Sequence, residues 1–275
     1  MIKLIQKDFF VDHSIPTAYY EFVSDEDMVV FPISDLHVDS VDFYEEFYSY
    51  INAQIKALNA YVFINGDILD IGFFDNFKSM NEIKLRGAEK EKALRELLYS
   101  FKDYTLGILE GNHDERIEKR CGWNPIRDIV SNELQIPYSS DILFTILKIN
   151  NIEYTFYCAH GSGSGTTKGG QANMLNRSKN VVVNSDLYFL GHTHNPININ
   201  FSNYIYYPNS KKLTVTNGRQ YITPAFLKHA SYAKKYGLEP PNYTYYWFTL
   251  SHTEKNITEA SRSFREGLCA DTSKR

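Results

Sequence analysis

Leu106-Gly107-Ile108-Leu109-Glu110-Gly111-Asn112-His113-Asp114 is the stretch whose reading decides the fold. It runs from an apolar segment of strand type into a turn bearing an amide, an imidazole and a carboxylate in succession. Asn112 offers a neutral side-chain oxygen. His113 titrates near neutral pH, and Asp114 can orient its ring. A strand ending in such a turn should leave a sheet at its carboxyl edge, where open α/β sheets gather ligands. Alone, Gly-Asn is an ordinary turn. The reading gains force from four other stretches that end in the same way.

Working back towards the N-terminus, Tyr104–Leu109 reads as a buried strand preceded by a helix over Glu82–Phe101. The core stripe of that helix is Leu94, Leu97, Leu98 and Phe101, and its outer charges alternate in sign. Ala60–Ile64 is a second buried strand, ending in Asn65-Gly66-Asp67-Ile68-Leu69-Asp70, and a loop with Phe73, Phe74 and Phe77 follows it. Before it, Tyr44, Phe47, Tyr48, Ile51, Ile55 and Leu58 recur at helical spacing, which predicts a helix over Phe43–Leu58 with Asp42 placed to cap it. Met28–Ile33 is a third apolar run and stops at Ser34-Asp35-Leu36-His37. Pro32 suits a place where pairing on one side has already ended. Thr17–Val23 is β-prone. The β-α-β-α-β rhythm argues for a largely parallel sheet.

Towards the C-terminus, Pro125 stands at a first-turn position before Ile126–Leu134. Ile142–Ile149 and Ile152–Cys158 form a hairpin about Asn150-Asn151, and the second strand delivers Ala159-His160-Gly161. Leu187–Leu190 is a short buried strand delivering Gly191-His192-Thr193-His194. Tyr204–Thr216 holds a hairpin, Ala225–Tyr236 has helical character, and Tyr243–Leu250 is a closing strand. With no internal repeat or linker, residues 1–250 read as one domain. Residues 251–275 read as a polar C-terminal tail, in which Ile257, Ala260, Phe264 and Leu268 have the spacing of a docked amphipathic helix; a frayed end fits equally.

At 275 residues, with 43% hydrophobic and 23% charged, the chain is globular in class and can bury a substantial core. A net charge of −4 gives no global attraction to nucleic acid or an anionic membrane. Aromatic residues make up 15%, and core and surface rings account for them better than a stacking platform. Cys121, Cys158 and Cys269 show no CxxC spacing, so neither a zinc knuckle nor a redox pair is indicated. The N-terminus lacks a signal-peptide pattern, and no apolar run reaches the roughly 20 residues that span a bilayer. These features point to a cytoplasmic protein without a membrane partner. Oligomeric state is not legible here.

Five strand ends therefore carry metal-ligating residue types: Asp35 and His37; Asp67; Asn112 and His113; His160; His192 and His194. In extended backbone, residues two apart point to one side, so Asp35/His37 and His192/His194 can each aim at one point. Glycines 66, 111, 161 and 191 flank the ligands and allow close backbone approach. Singly, each piece is ordinary: Asp-x-His is common, Gly-Asp-x-x-Asp fits an Asx turn, and one histidine after a strand is usually structural. Five such pieces, all at strand ends, make a metal site the better reading.

In this order, Asp-x-His, Gly-Asp-x-x-Asp, Gly-Asn-His-Asp, a lone His and Gly-His-x-His, the sequence resembles the calcineurin-like metallophosphoesterases. The likeness covers roughly the first 220 residues. It implies a four-layer α-β-β-α sandwich with two central mixed sheets. It also implies two divalent cations, the first held by Asp35, His37 and His194, the second by Asn112, His160 and His192, with Asp67 bridging. His113 would sit over the scissile phosphate without binding metal, Asp114 would orient it, and Asp70 would support a ligand. A hydroxide between cations about 3.5–4 Å apart would attack phosphorus in line. Donors of N and O type without thiolate favour Mn²⁺, with Fe, Zn²⁺ or Ni²⁺ as alternatives. Asp70 stands where the purple acid phosphatase branch has a tyrosine ligand, which disfavours that branch.

Other dinuclear patterns fail. The metallo-β-lactamase motif needs Asp-His after His-x-His, where this chain has Asn195-Pro196, and amidohydrolases place His-x-His first. The run from Gly161 to Gly170 lacks a Walker spacing and reads as a mobile loop beside the metals, with Lys168 able to reach substrate. Arg116, followed by Lys119 and Arg120, is a second candidate phosphate contact, and Lys168, Arg177 and Arg219 are rim candidates. The function implied is a phosphodiesterase or nuclease acting on nucleotides or nucleic acid. The alternatives are a phosphomonoesterase and a non-catalytic metal-binding scaffold for protein partners.

Overall fold

Strand β3 (Met28–Ile33) pairs in parallel with β4 (Tyr61–Asn65), β4 with β5 (Thr105–Leu109), and β5 with the short β6 (Tyr138–Ser139). The computed structural model describes residues 3–4, 15–70, 83–85, 87–163, 167–229, 237 and 239–265. On the other side of β3 lie β12 (Thr244–Leu250) and β13 (Ile257–Ser263), both antiparallel, which makes a six-stranded mixed sheet in the order β13-β12-β3-β4-β5-β6. The second sheet has seven strands. Its order is β1 (Lys3–Leu4), β2 (Thr17–Phe22), β7 (Ile142–Ile149), β8 (Ile152–Ala159), β9 (Leu187–Leu190), β11 (Lys212–Ile222) and β10 (Ile197–Tyr207). It too mixes parallel and antiparallel pairs.

Both faces of the six-stranded sheet are covered, which is why its central strands read as unbroken apolar runs. Along β4, Val62 and Ile64 face one core while Phe63 faces another. The outer core joins them to α1 (Glu45–Ala57) through Phe47, Ile51 and Ile55, and to α2 (Ala88–Phe101) through Leu94, Leu97, Leu98 and Phe101. Between the sheets, Phe63, Leu106, Leu109 and Phe248 meet Phe156, Cys158, Phe189 and Tyr221. On the far side, α4 (Lys168–Ser178) lays Met174 and Leu175 on Tyr188, Leu190 and Ile222. The expected α-β-β-α layering is thus the observed one.

Several local expectations are met. The Asn150-Asn151 hairpin pairs Ile149 with Ile152. Pro32 lies beyond the Met28–Val30 stretch that β12 covers, so its missing N–H leaves no gap on that side. Pro125 opens a short helix, Pro125–Arg127, capped by Asn124, whose Oδ1 accepts from Arg127 N at 3.0 Å; it continues as a π-turn over Asp128–Glu133.

Others are corrected. Asp42 does not cap α1: Tyr44 occupies the cap position without a side-chain bond. The second helix begins at Ala88, since Gly87 at φ +52° breaks the chain there and Ile83 is already bridged to Ser40. Of the helix expected over Ala225–Tyr236, residues 225–229 are not helical, with Leu227 instead bridging to Phe43, and residues 230–236 lie outside the described residues. The docked-helix reading of the tail is replaced over Ile257–Ser263 by strand β13, and Phe264 packs against Tyr44, Phe47 and Tyr50. The loop with Phe73, Phe74 and Phe77 lies outside the described residues, as does Leu268.

Candidate metal centre

Every motif residue follows the carboxyl end of a strand. Asp35 and His37 follow β3, Asp67 follows β4, and Asn112 and His113 follow β5; His160 follows β8, and His192 and His194 follow β9. The two sheets therefore face one another across the site. Loops are tied across it by backbone bonds, Asp35 N to Gly66 O at 2.9 Å, His37 N to Asp67 O at 3.0 Å and Gly191 N to His160 O at 2.9 Å.

The side chains converge by a route different from the expected one. Asp35, His37, Asp67, His192 and His194 are not extended; all five have φ between +44° and +70°. They make up half of the ten non-glycine residues at positive φ among the described residues. Each such turn costs on the order of 1 kcal/mol. Strain concentrated at one point in the fold indicates that geometry there matters more than stability. Gly111 has a matching constraint: a Cβ on it would lie 2.0 Å from Asp67 Oδ1 and 2.2 Å from Asp67 N.

Three donor groups result among the described residues, two of which share Asp67; the third joins His37 to Asp70 and His113. Ligand atoms of Asp35, His37, Asp67 and His194 lie within 4.8 Å of one another, as do those of Asp67, His160 and His192. Asp67 belongs to both. Asn112 Oδ1 joins the second, 3.1 Å from His160 Nε2 and 2.8 Å from His192 Nδ1. His160 Nδ1 lies 2.8 Å from Asn65 O, and His192 Nε2 2.8 Å from Gly163 O. If those outer nitrogens donate to the carbonyls, the inner ones present lone pairs to an amide oxygen and to a carboxylate, Asp67 Oδ2 being 3.2 Å from His160 Nε2. Facing acceptors of this kind need a positive charge between them, either a proton or a bound metal cation.

His37 makes the same case for the first group. It is buried, and neither ring nitrogen has a hydrogen-bond partner; Asp67 Oδ2 stands off at 3.9 Å and Asp70 Oδ1 at 3.6 Å. A buried imidazole with two idle nitrogens is costly unless something binds it. The residues present thus fit a pair of divalent cations.

The charges respond to one another. Burial would raise Asp35, but His194, 3.4 Å away, holds it below its ordinary value. Burial would also raise Asp67, and His160 with its neighbours pulls it well below the carboxylate range. His160, which burial alone would lower, is pushed up to about 9 by Asp67. Burial would lower His113 as well, and the Asp70 carboxylate drives it up to about 9.

Asp70 stands beside the ligand candidate His37, as expected, at 3.6 Å from its Nδ1, whereas the Asp114 carboxylate turns to the backbone. Asp114 is fully buried and accepts three backbone N–H groups, from Ile68 (3.1 Å), Leu69 (3.0 Å) and Gly111 (3.0 Å). Burial and the Asp67 charge push it up to about 7. The carboxylate beside His113 is Asp70, whose Oδ1 is 2.8 Å from His113 Nδ1.

A family model of the calcineurin-like phosphoesterases matches residues 28–223, the span that carries all seven donors and His113. The chain belongs to the calcineurin-like phosphoesterase family. No curated relative matches it in sequence. By structure it is similar to Vps29 from Chaetomium thermophilum, at 10% identity and a TM-score of 0.37, covering 86% of this chain and 96% of that one. Phosphate esters are the substrate class of this family, and no helix among the described residues is long and apolar enough to cross a membrane.

Residues outside the five motifs also touch those within them. Ser34 Oγ donates to Asp35 and meets Thr223 Oγ1 at 2.6 Å. Asp39 is buried, accepts from Asp70 N at 2.6 Å and pairs with Lys90 of α2 at 2.6 Å. Only Ser34, adjoining Asp35, could have been suspected from position. Of the cations expected at the phosphate or the rim, Arg116 is exposed on α3 (Glu115–Cys121) and its charge reaches His113. Lys168 is exposed at the start of α4, with Thr167 capping that helix. Lys119 pairs with Glu115 at 2.7 Å. Arg219 is not at the rim: it sits opposite Leu187, at the far end of β9, and donates to Ile257 O at 3.1 Å. Of the glycine-rich run, residues 164–166 lie outside the described residues.

Proposed function

We propose that this chain is a two-metal phosphoesterase cleaving phosphodiesters of nucleotides or nucleic acid. The observation that carries the reading is His37: both of its buried nitrogens are idle, and it stands in a donor group that shares Asp67 with a second donor group. Divalent cations there, when bound, would polarise phosphate oxygens and acidify a water. Asp35, His37 and His194 would hold one, Asn112, His160 and His192 the other, and Asp67 both. Mn²⁺, Fe and Zn²⁺ suit these donors, Mn²⁺ foremost.

His113 is the proton donor in this reading. Asp70 fixes its Nδ1 and favours its protonated form, which leaves Nε2 to protonate the departing oxygen. The diester part of the reading rests on the sequence motifs, and Arg116, whose charge reaches His113, is a side-chain cation placed to meet the single negative charge of a diester. A reducing, cytoplasmic setting accords with Cys158, a buried free thiol.

A chromogenic phosphodiester and the matching monoester, each assayed with Mn²⁺, test the reading. Diester turnover should exceed monoester turnover and vanish with chelator or with Asp67→Asn. Preference for the monoester would shift the substrate class. Turnover surviving both chelator and Asp67→Asn would remove the proposed centre.

A further inference from the structure

We propose that two copies of this chain pair edge to edge through strand β10, antiparallel, with Ser202 on the two-fold axis. β10 is the outermost strand of the seven-stranded sheet among the described residues. Its eleven residues, Ile197 to Tyr207, pair one-for-one with β11 without a bulge. They include no charged residue and no proline. Long edge strands are ordinarily guarded by lysine, proline, bulges or a covering element. Among the described residues it has none of the first three guards, and a partner strand is the protection we infer for it.

The outer half of the hairpin has little else to support it. β9 pairs with β11 only from Arg219 to Ile222, so Lys212–Gly218 and the strand opposite form a two-stranded ribbon. A ribbon of this kind is marginal in water by itself. On one face it exposes Tyr204 (76%), Tyr206 (58%), Leu213 (64%) and Val215 (52%), with Tyr204 opposite Val215 and Tyr206 opposite Leu213.

A second copy fits this edge for three reasons. Directly opposed residues must share a face, so the permitted registers step by two; centring on Ser202 is the one that overlaps all eleven residues. That register sets Ile199 against the partner's Ile205 and Ile197 against the partner's Tyr207, each twice by symmetry. It also sends the two hairpin tips, with Lys211 and Lys212, to opposite ends, so like charges do not meet. An edge about 36 Å long, with its flanking tyrosines, covers roughly 1,000 Å² in total, the size at which specific interfaces begin.

Sedimentation velocity at micromolar concentration should give a mass twice that of the chain. The double variant Tyr204→Lys/Tyr206→Lys, both positions exposed, should sediment as a monomer with an unchanged circular dichroism spectrum. Ser202→Cys should form an interchain disulfide under mild oxidant well above the wild-type background, while Tyr206→Cys should not, since the partner's Asn198 faces it. A monomeric wild type overturns the proposal. So does a dimer that persists in the double variant, or a dimer in which Ser202→Cys fails to cross-link.

Discussion

Asp70 and Asp114 are three residues beyond Asp67 and Gly111, and the chain gives them similar surroundings in sequence. Folding separates them completely. Asp114 turns inward and gathers three backbone N–H groups, while Asp70 stays partly exposed and meets His113. Asp114→Ala should therefore act on stability. Leaving three buried donors unmatched costs about 3 kcal/mol or more, read as a lower denaturation midpoint. Asp70→Asn should act on chemistry: kcat falls about 10- to 100-fold with the metal content of the purified protein unchanged. A large stability loss in Asp70→Asn with normal kcat would reverse the assignment. The motif residues were legible because metal and phosphate chemistry restrict which side chains can serve. Which carboxylate reaches the imidazole was not, because it depends on left-handed turns at Asp67 and its neighbours that extended-strand reasoning does not supply.

At the scale of elements, legibility followed burial. β3, β4 and β5, α1 and the core stripe of α2 are decided by apolar patterning, and each was readable. β13 was misread because Ile257, Ala260 and Phe264 are spaced for a helix, while pairing with β12 over all seven of its residues outweighs that local signal. Phe264 shows what the pairing secures: it is 3% exposed, and its ring lies 5.2 Å from Phe47 and 5.1 Å from Tyr50. Phe264→Ala should cost about 3–5 kcal/mol in chemical denaturation, far more than an end-of-chain residue normally does. The turn leading into β13 is pinned at its other end by Asp27, whose Oδ1 takes His252 N at 3.0 Å and lies 2.7 Å from His252 Nδ1. The bonds from His252 hold Asp27 below its ordinary value. A depressed carboxylate stabilises above its unfolded-state pKa and loses that contribution as pH falls through the depressed value. At 46% exposure the worth is under about 1 kcal/mol. Melting temperatures of wild type and Asp27→Asn should thus differ slightly near neutrality and converge in strong acid; a gap that widens in acid would contradict this.

At the scale of the whole molecule, the two sheets touch through one apolar core and through the site. Asp35, His37, Asp67 and Asn112 come from one sheet, and His160, His192 and His194 from the other. Cations bound between them would join the sheets directly, and they would also neutralise two buried carboxylates, Asp35 and Asp67. Binding to the folded chain alone raises stability by mass action, about 2.7 kcal/mol at a hundredfold excess over Kd. For a chain of this size that corresponds to about 5–10 °C in Tm. Mn²⁺ should therefore raise Tm by that order, chelator should return it, and Asp67→Asn should abolish most of the rise by weakening both donor groups at once. His113→Ala should keep it, because His113 lies outside both groups that contain Asp67. A rise that persists in Asp67→Asn would mean that the cation binds elsewhere. Loss of the rise in His113→Ala would make that histidine a ligand, and its proposed part in protonating the leaving group would then have to pass to another residue.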